Sequence, residues 1–514
     1  MEERRETNQA FVCINQPMDI DWDQINWDII KHRVENLQQR IFRDTQVGNF
    51  RQVKQTQKLL TRSLSARLWA VRLITEINNG KNTPGVDGKL YKTADKKIQL
   101  VENLKFNGYI PKPVRIVWIP KSNGDKRKLG IPTILDRVMQ ALVNMAMNPE
   151  WEAKFEPHSF GFRPGKSALD AAHHIYTSLL PQKGRRIHPG WILDADISKC
   201  FDNINHNALL EKIKTSPFHG IIRSWLKSGA ISQIGFEHTN KGTPQGGIIS
   251  PLLANIALDG MERMFGINTR TGRYIAPSNR RKQNKDIGVF RYADDFIVIT
   301  PSKEIIIEYV MPKIKSHLQS VGLSFNSLKT KIVNISEGFD FLGFSFQRYY
   351  RKDGSIKKSI FKPQRQRIDR FLKDLKEFVG ISWNKDIKDM IIGLNIRIRG
   401  FCNYYKWSNA HDSFSYLSYR IFKILWNWAR KRHPDRGRKW IKNRYWGRNG
   451  TNNWAFSFEG VYLLEPWTLT CQWWKYPKVR IHLSPFDPSA KDYWAKRKEK
   501  RKKGKHISLS LIHI

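Results

Sequence analysis

Two short acidic stretches carry residues that could do metal-assisted chemistry. Asp194-Ala195-Asp196 closes the apolar run Trp191-Ile192-Leu193, and Asp294-Asp295 divides two apolar runs within residues 288–300. In an extended strand, residues two apart project to one face, so Asp194 and Asp196 would point together. Adjacent acids between two apolar runs fit the turn of a hairpin. Carboxylates held this close repel one another unless a cation lies among them. A pair of Mg²⁺ ions about 3.5–4 Å apart can activate a hydroxyl nucleophile and neutralise a triphosphate. Mg²⁺ keeps several waters and takes hard oxygen ligands, so a few converging carboxylates suffice. Taken singly, each stretch reads first as a solvated surface turn; the two together in a strongly basic chain leave a metal site and surface turns evenly open, and spacing alone goes no further.

The elements that would position these acids are legible in outline. Residues 22–80 repeat apolar positions at helical spacing, with Leu37, Ile41, Leu59, Leu60, Leu64, Leu68, Val71 and Ile74. The Gly-, Pro- and Asn-rich stretch 78–88 ends that pattern. Residues 110–135 predict an extended hairpin turning near Ser122-Asn123-Gly124-Asp125. Helices are expected over 134–150 and 166–180, and strands over 191–197, 288–300 and 339–349. Helical spacing returns over 364–432, and the Lys- and Arg-rich stretch 496–506 predicts a disordered tail. Mixed strands and helices followed by helices predict an α+β domain and then a helical one.

Composition narrows the partners. The 514 residues are 40% hydrophobic, with 27 Phe, 18 Trp and 16 Tyr, enough for sizeable cores in about three or four domains. The 89 Lys plus Arg against 46 Asp plus Glu give a formal charge of +43. A fold does not need this excess, and self-repulsion makes it mildly costly. Lys and Arg displace counterions from phosphates, so nucleic acid is the first reading and an anionic membrane the weaker one. Cys13, Cys200, Cys402 and Cys471 are far apart in sequence, which excludes a zinc ribbon or a disulfide framework and suits a reducing compartment. No leader-like apolar segment opens the chain, and no apolar run reaches the roughly 18 residues of a membrane span. A cytoplasmic protein is expected, in the bacterial cytoplasm or nucleoid or in an organelle.

The resemblance to a known family rests on ordered motifs. Tyr292-Ala293-Asp294-Asp295 resembles the YADD box of bacterial and organellar reverse transcriptases. Upstream, residues 242–255 (GTPQGGIISPLLAN) resemble the PQG motif of the group II intron branch, and residues 196–204 (DISKCFDNI) its first catalytic motif. Residues 159–165 (SFGFRPG) and 83–88 (TPGVDG) are similar to fingers motifs of that branch. The similarity runs in family order from about residue 20 to about residue 495. It implies an α+β right-hand polymerase with fingers and palm, followed by an α-helical thumb or maturase region and a basic C-terminal tail. The boundaries expected are a helical extension at 1–80, fingers and palm at 81–355 and thumb at 356–435. A basic DNA-binding region at 436–495 and a disordered tail at 496–514 complete the division.

The resemblance also implies roles. Asp196, Asp294 and Asp295 would be the catalytic metal ligands, with the carbonyl of Ile197 assisting two Mg²⁺ ions for which Mn²⁺ can substitute; Asp194 and Asp202 would be structural acids. Phe201 would pack under the nucleotide sugar and clash with a 2′-hydroxyl, selecting dNTPs by sterics. Lys121 and Arg127 flank the fingers hairpin and would contact the triphosphate, with Lys126 and Lys128 able to substitute and Arg163 a further candidate. Gln245 would bond near the nascent pair, with Gly246 and Gly247 letting the backbone approach the nucleotide. Lys329 matches a lysine that assists the leaving group, although Leu328 stands where Glu is usual. Phe341, Leu342 and Gly343 match the primer grip. Residues 361–450 carry 22 Lys plus Arg against 7 Asp plus Glu. Trp407, Trp426, Trp428, Trp440 and Trp446 are interleaved with them, a mixture suited to RNA, with Trp426 and Trp428 expected in the thumb core.

The function implied is RNA-dependent DNA synthesis with assistance to group II intron splicing, for retromobility. The partners implied are structured RNA (its own intron), a template–primer duplex and target DNA. A non-enzymatic maturase, or a reverse transcriptase domesticated for defence or repair, are the alternatives. Residues 484–488 (SPFDP) resemble the stretch before an HNH-type endonuclease, whose paired Cys and His do not follow, so a primer from another source, a repurposed enzyme or a truncated element is expected.

Overall fold

The computed structural model describes residues 20–120, 124–181, 190–267, 287–450 and 452–505. Lys121, Ser122, Asn123, Cys13 and the chain beyond residue 505 lie outside them. The first of two compact units comprises Met1–Ser167, Leu193–Ile332 and Arg480–Lys491, and the second Ala168–Ile192, Val333–Val479 and Asp492–Ile514.

The helical spacing over 22–80 produces the helices Trp27–Gln46, Phe50–Arg62 and Leu64–Arg72. Each starts where a polar side chain accepts a hydrogen bond from a free backbone N–H: Asn26 from Ile29, Asn49 from Gln52 and Ser63 from Ala66. Their apolar stripes, including Ile41, Val53, Leu60 and Val71, are buried and pack with the helix Ile134–Lys154. A buried polar link joins the same helices: Gln57 Nε2 donates to Glu150 Oε2 at 2.7 Å.

The strands are β1 (Val114–Pro120), β2 (Lys126–Ile131), β3 (Trp191–Asp196), β4 (Ala230–Ser232), β5 (Gly235–Glu237), β6 (Gly288–Tyr292), β7 (Asp295–Thr300) and β8 (Lys331–Asn334). One sheet has the order β2-β1-β4-β5 and another β6-β7-β3-β8. The expected fingers hairpin is β1–β2, in register from Arg115↔Ile131 to Pro120↔Lys126. In β7, Phe296 to Thr300 are all buried, the signature of a strand covered on both faces.

In the second unit, β9 (Phe339–Phe341), β10 (Phe344–Tyr350) and β11 (Ile356–Pro363) form one sheet, and β12 (Trp446–Asn449), β13 (Asn452–Phe458) and β14 (Val461–Tyr462) another. The single strand expected over 339–349 is broken at Leu342-Gly343, both with positive φ. The inner face of β10–β11 buries Phe344, Phe346 and Phe361. Each such side chain removed from water contributes about 1.5–3 kcal/mol. The helices Arg365–Ile381, Ile387–Tyr405 and His411–Arg432 occupy the stretch expected to be helical.

Two expectations fail here. The stretch from residue 496, expected to be disordered, continues the helix Lys491–Lys505. Arg497 is its anchor: buried, it donates to the carbonyl of Pro477 at 2.9 Å and pairs with the fully buried Asp170. Charge density predicted disorder, but one arginine with a buried carboxylate partner orders the segment. Among the tryptophans interleaved with the bases, Trp428 is buried and Trp426 half-buried, as expected of the core, whereas Trp407 and Trp446, expected to suit RNA, are buried as well, and Trp440 is 38% exposed. No helix of the described residues is long and apolar enough to cross a membrane.

Arg497→Ala leaves Asp170 buried without its cation. A loss of about 3–5 kcal/mol is expected in denaturant unfolding, with early proteolytic cleavage within 491–505.

Candidate active site

The hairpin β6–β7 closes with Tyr292 opposite Asp295, so Ala293 and Asp294 form the turn. Ala293 takes φ 60°, a left-handed conformation that a residue with a Cβ adopts only when its surroundings hold it there. β3 lies beside β7 in the sheet and ends at Asp196, so the fold brings Asp196 to Asp294 and Asp295. Past Asp196, the buried Ile197 bridges to Phe325, and the backbone N–H of Asn326 donates to the Asp196 carbonyl at 2.8 Å.

The electrostatics follow from this crowding. Burial, and then the charge on Asp196, push the Asp294 carboxyl above its ordinary range. Asp295, at the start of β7, is exposed, while the residues that follow it are buried. Partial burial of its carboxyl, then the charges on Asp294 and Asp196, push it up to about 7. Lys329 supplies a counter-charge: its ammonium lies 2.7 Å from Asp196 Oδ2, and that hydrogen bond raises the lysine above its usual value. Asn326 Nδ2 donates to the same oxygen at 3.1 Å. With Asp196 turned onto these two partners, no group of three or more His, Cys, Asp or Glu among the described residues is arranged to hold a metal ion as the side chains stand. The donor set nevertheless fits a divalent cation. It consists of hard carboxylate oxygens, burial and mutual repulsion raise two of the three carboxyls, and the balancing charge on Asp196 is Lys329, 67% exposed.

The turn is held from beneath. Arg291, buried in β6, donates from Nη1 to Asn255 Oδ1 at 2.9 Å and to the Ala293 carbonyl at 3.1 Å. Asn255 Nδ2 donates to the Gly161 carbonyl at 2.8 Å. The Phe160 N–H donates to the Arg291 carbonyl at 2.8 Å, and the Arg291 N–H to that of His158 at 3.0 Å. A Cβ at Gly161 would lie 2.3 Å from the Ala293 nitrogen, so only glycine permits this approach. Arg291 and Asn255 were not anticipated from sequence; the available signal was an arginine inside an apolar strand next to the acid pair.

Arg163, expected at the triphosphate, is instead committed inside the protein. Nε and Nη2 grip Glu152 at 2.8 and 2.9 Å, and Nη1 bonds the Ser159 carbonyl at 3.0 Å. A buried guanidinium needs a carboxylate and full hydrogen bonding, and Glu152 supplies the fork. With Gly161 pinned on one side and Arg163 on the other, Phe162 is forced outward, 54% exposed at φ 60°. Its ring meets Phe201 edge-on at 6.2 Å.

Phe201 is buried in the short helix Cys200–Asn203, and its carbonyl accepts from the Thr243 N–H at 2.7 Å. Arg127 and Gln245 come together, Nε donating to Oε1 at 2.9 Å. Lys128 pairs with Glu237 at 2.8 Å, and Lys126 is exposed. The glycines expected to admit the nucleotide serve the protein's own packing. Gly246, at φ 122°, has the Gly130 carbonyl 2.7 Å from where a Cβ would sit, and a Cβ at Gly247 would meet Ser250 Oγ at 2.6 Å. In the second unit, Phe341 is buried and Leu342-Gly343 turn the chain between β9 and β10, with the Gly343 carbonyl accepting from the Gln364 N–H at 3.0 Å.

Comparison with known proteins finds three family matches in order: the N-terminal domain of reverse transcriptase at residues 22–104, reverse transcriptase (RNA-dependent DNA polymerase) at 119–346, and the group II intron maturase-specific domain at 368–446. Protein YkfC of Escherichia coli is 33% identical over 55% of this chain and 81% of its own length. The group II intron-encoded protein LtrA of Lactococcus lactis is 27% identical over 74% of this chain and 75% of its own. Maturase-like protein 1 of Euglena longa is 26% identical over 81% of this chain and 84% of its own.

Asp295 must lose its proton to meet a cation. The divalent-metal concentration that half-saturates the protein, read by calorimetry, should fall about tenfold between about pH 5.5 and 6.5 and level off above about pH 8. Without metal, Asp295 contributes stability that is present below its ordinary range and lost as pH rises through about 7. Asp295→Asn should therefore raise the metal-free melting temperature more at about pH 8 than at about pH 5.

Proposed function

Because the chain belongs to the group II intron reverse transcriptase and maturase family, we propose that its DNA synthesis on RNA takes place at Asp196, Asp294 and Asp295. The chain is an RNA-directed DNA polymerase that binds RNA and takes part in intron splicing, and its polymerase domain depends on divalent metal. The observation that carries the assignment is the convergence of three carboxylates, where partial burial and then the charges on Asp294 and Asp196 push Asp295 up to about 7. We read the metal as Mg²⁺, from hard oxygen ligands only. When bound, it lowers the pKa of the attacking hydroxyl and neutralises the triphosphate.

The chain's own residues do the rest. Asp196, Asp294 and Asp295 would hold the metal, with the Ile197 carbonyl assisting. The primer 3′-hydroxyl gives its proton to solvent, its oxygen attacks the α-phosphorus, the bond from that phosphorus to the bridging oxygen breaks, and pyrophosphate leaves. Arg127 and Lys121 bind its phosphates, Arg127 from its place on Gln245. Lys329 leaves Asp196 and gives a proton to pyrophosphate. Phe201, braced by Phe162, closes the space where a 2′-hydroxyl would stand. Phe341, Leu342 and Gly343 hold the primer end. We read target DNA as a further partner of this basic chain. The +43 charge favours a nucleic-acid-rich setting such as the bacterial cytoplasm. An intact acid triad speaks against a purely structural splicing cofactor.

Primer extension on an RNA template with dNTPs and Mg²⁺ tests the reading. Asp294→Ala should lower the rate at least about 100-fold while intron RNA binding persists; equal activity in both proteins would remove Asp294 from the site. Phe201→Ala should reduce discrimination against rNTPs by on the order of 10- to 100-fold, with dNTP incorporation retained.

A further inference from the structure

Within the second unit, a cleft of about 860 Å³ lies between hairpin β10–β11, the start of the helix His411–Arg432 and the segment 467–474. Its lining combines two kinds of side chain. Lys357, Lys358 and Lys362 stand exposed on β11. Trp467 and Trp474 are 45% and 61% exposed, although this unit buries Trp407, Trp428 and Trp446; Trp473 packs edge-on against Tyr176 at 5.4 Å.

The walls are rigid. The Asn409 N–H donates to the Phe361 carbonyl at 2.8 Å and the Phe361 N–H returns to Asn409 Oδ1 at 3.1 Å. The Gln472 N–H donates to the Lys406 carbonyl at 2.8 Å. The Trp467 N–H donates to Ser418 Oγ at 3.0 Å, and its indole to Glu465 Oε2 at 2.6 Å. The indole nitrogen is thereby satisfied by the protein, and the ring's faces remain for stacking.

We propose that this cleft is a second nucleic-acid site, which takes unpaired bases of an RNA strand. The proposal rests on the reading that the chain handles RNA. The volume lies in the range of about 300–1,000 Å³ typical of sites that enclose a small organic ligand, which suits one or two splayed bases and excludes a duplex. Exposed indoles offer stacking faces to any base, and lysines on the adjacent strand meet the phosphates that connect them. Asp412, fully exposed at the cleft's edge, repels phosphate but accepts hydrogen bonds. A 2′-hydroxyl or a base amino group can donate to it, and the first is what distinguishes RNA from DNA. The site lies outside the acid triad and the primer grip, so it serves to hold a strand rather than to react with it.

The test is photo-cross-linking of the full-length protein to a single-stranded RNA 12-mer containing 4-thiouridine, with peptide mapping and affinity by anisotropy. Trp474→Ala removes an exposed ring and leaves the core; the pair Lys358→Ala, Lys362→Ala is a second variant. Cross-links within 349–362 or 466–475 are expected, weakened together with affinity by about 5- to 100-fold in Trp474→Ala and to a similar degree in the lysine pair. Extension of a pre-annealed template–primer should be unchanged in both variants. Cross-links only elsewhere, unchanged affinity in both variants, or equal cross-linking of the matching DNA 12-mer would overturn the proposal. Failure of the wild type to extend a primer would count against the polymerase reading and leave this site standing.

Discussion

The repulsion among Asp196, Asp294 and Asp295 is the constraint on which the first unit depends. Three carboxylates cannot be crowded together by local sequence preference, because ionised groups at this separation raise each other's pKa and favour moving apart. The sheet supplies the force that holds them: β7 is buried from Phe296 to Thr300, so its register cannot slip without exposing that run. Two of the acids are therefore carried into place by apolar burial that has nothing to do with charge.

The strain this creates is distributed through the backbone beneath the turn. Ala293 is held at a left-handed angle, Gly161 abuts its nitrogen, and Arg291 and Asn255 tie the two segments together. The same loop continues into Arg163, whose fork on Glu152 fixes the chain where Phe162 turns out toward Phe201. One structural unit thus supports both the acids and the aromatic floor beside them. An arginine that looks like a phosphate ligand in the linear motif proves to be the rivet that positions its neighbour.

Periodicity exposed the helices of 22–80 and 365–432 and the hairpin β1–β2, because each buries one continuous apolar face or alternates about a turn. It did not expose β11, whose Lys357, Lys358 and Lys362 disguise a strand with one buried face, or β4 and β5, which are too short to show a period. The acids of the site were visible as residue types at strand ends, and their convergence was not, since it depends on β3 lying beside β7. The burial of Arg163 was not legible for one reason: a motif records which residues recur, not whether they face a ligand or the protein. The helix at the C-terminal end was hidden by its charge, and its anchors, Arg497 on Asp170 and on the Pro477 carbonyl, join residues far apart in the chain.

The central claim is that the crowded carboxylates exist to hold paired divalent cations. Electron paramagnetic resonance of Mn²⁺ bound to the full-length protein, with a template–primer whose 3′ end lacks its hydroxyl and a matching dNTP, tests it most directly. Two exchange-coupled ions about 3.5–4 Å apart, lost together in Asp294→Asn, are predicted. Uncoupled or absent Mn²⁺ in a complex that still binds the template–primer would contradict it.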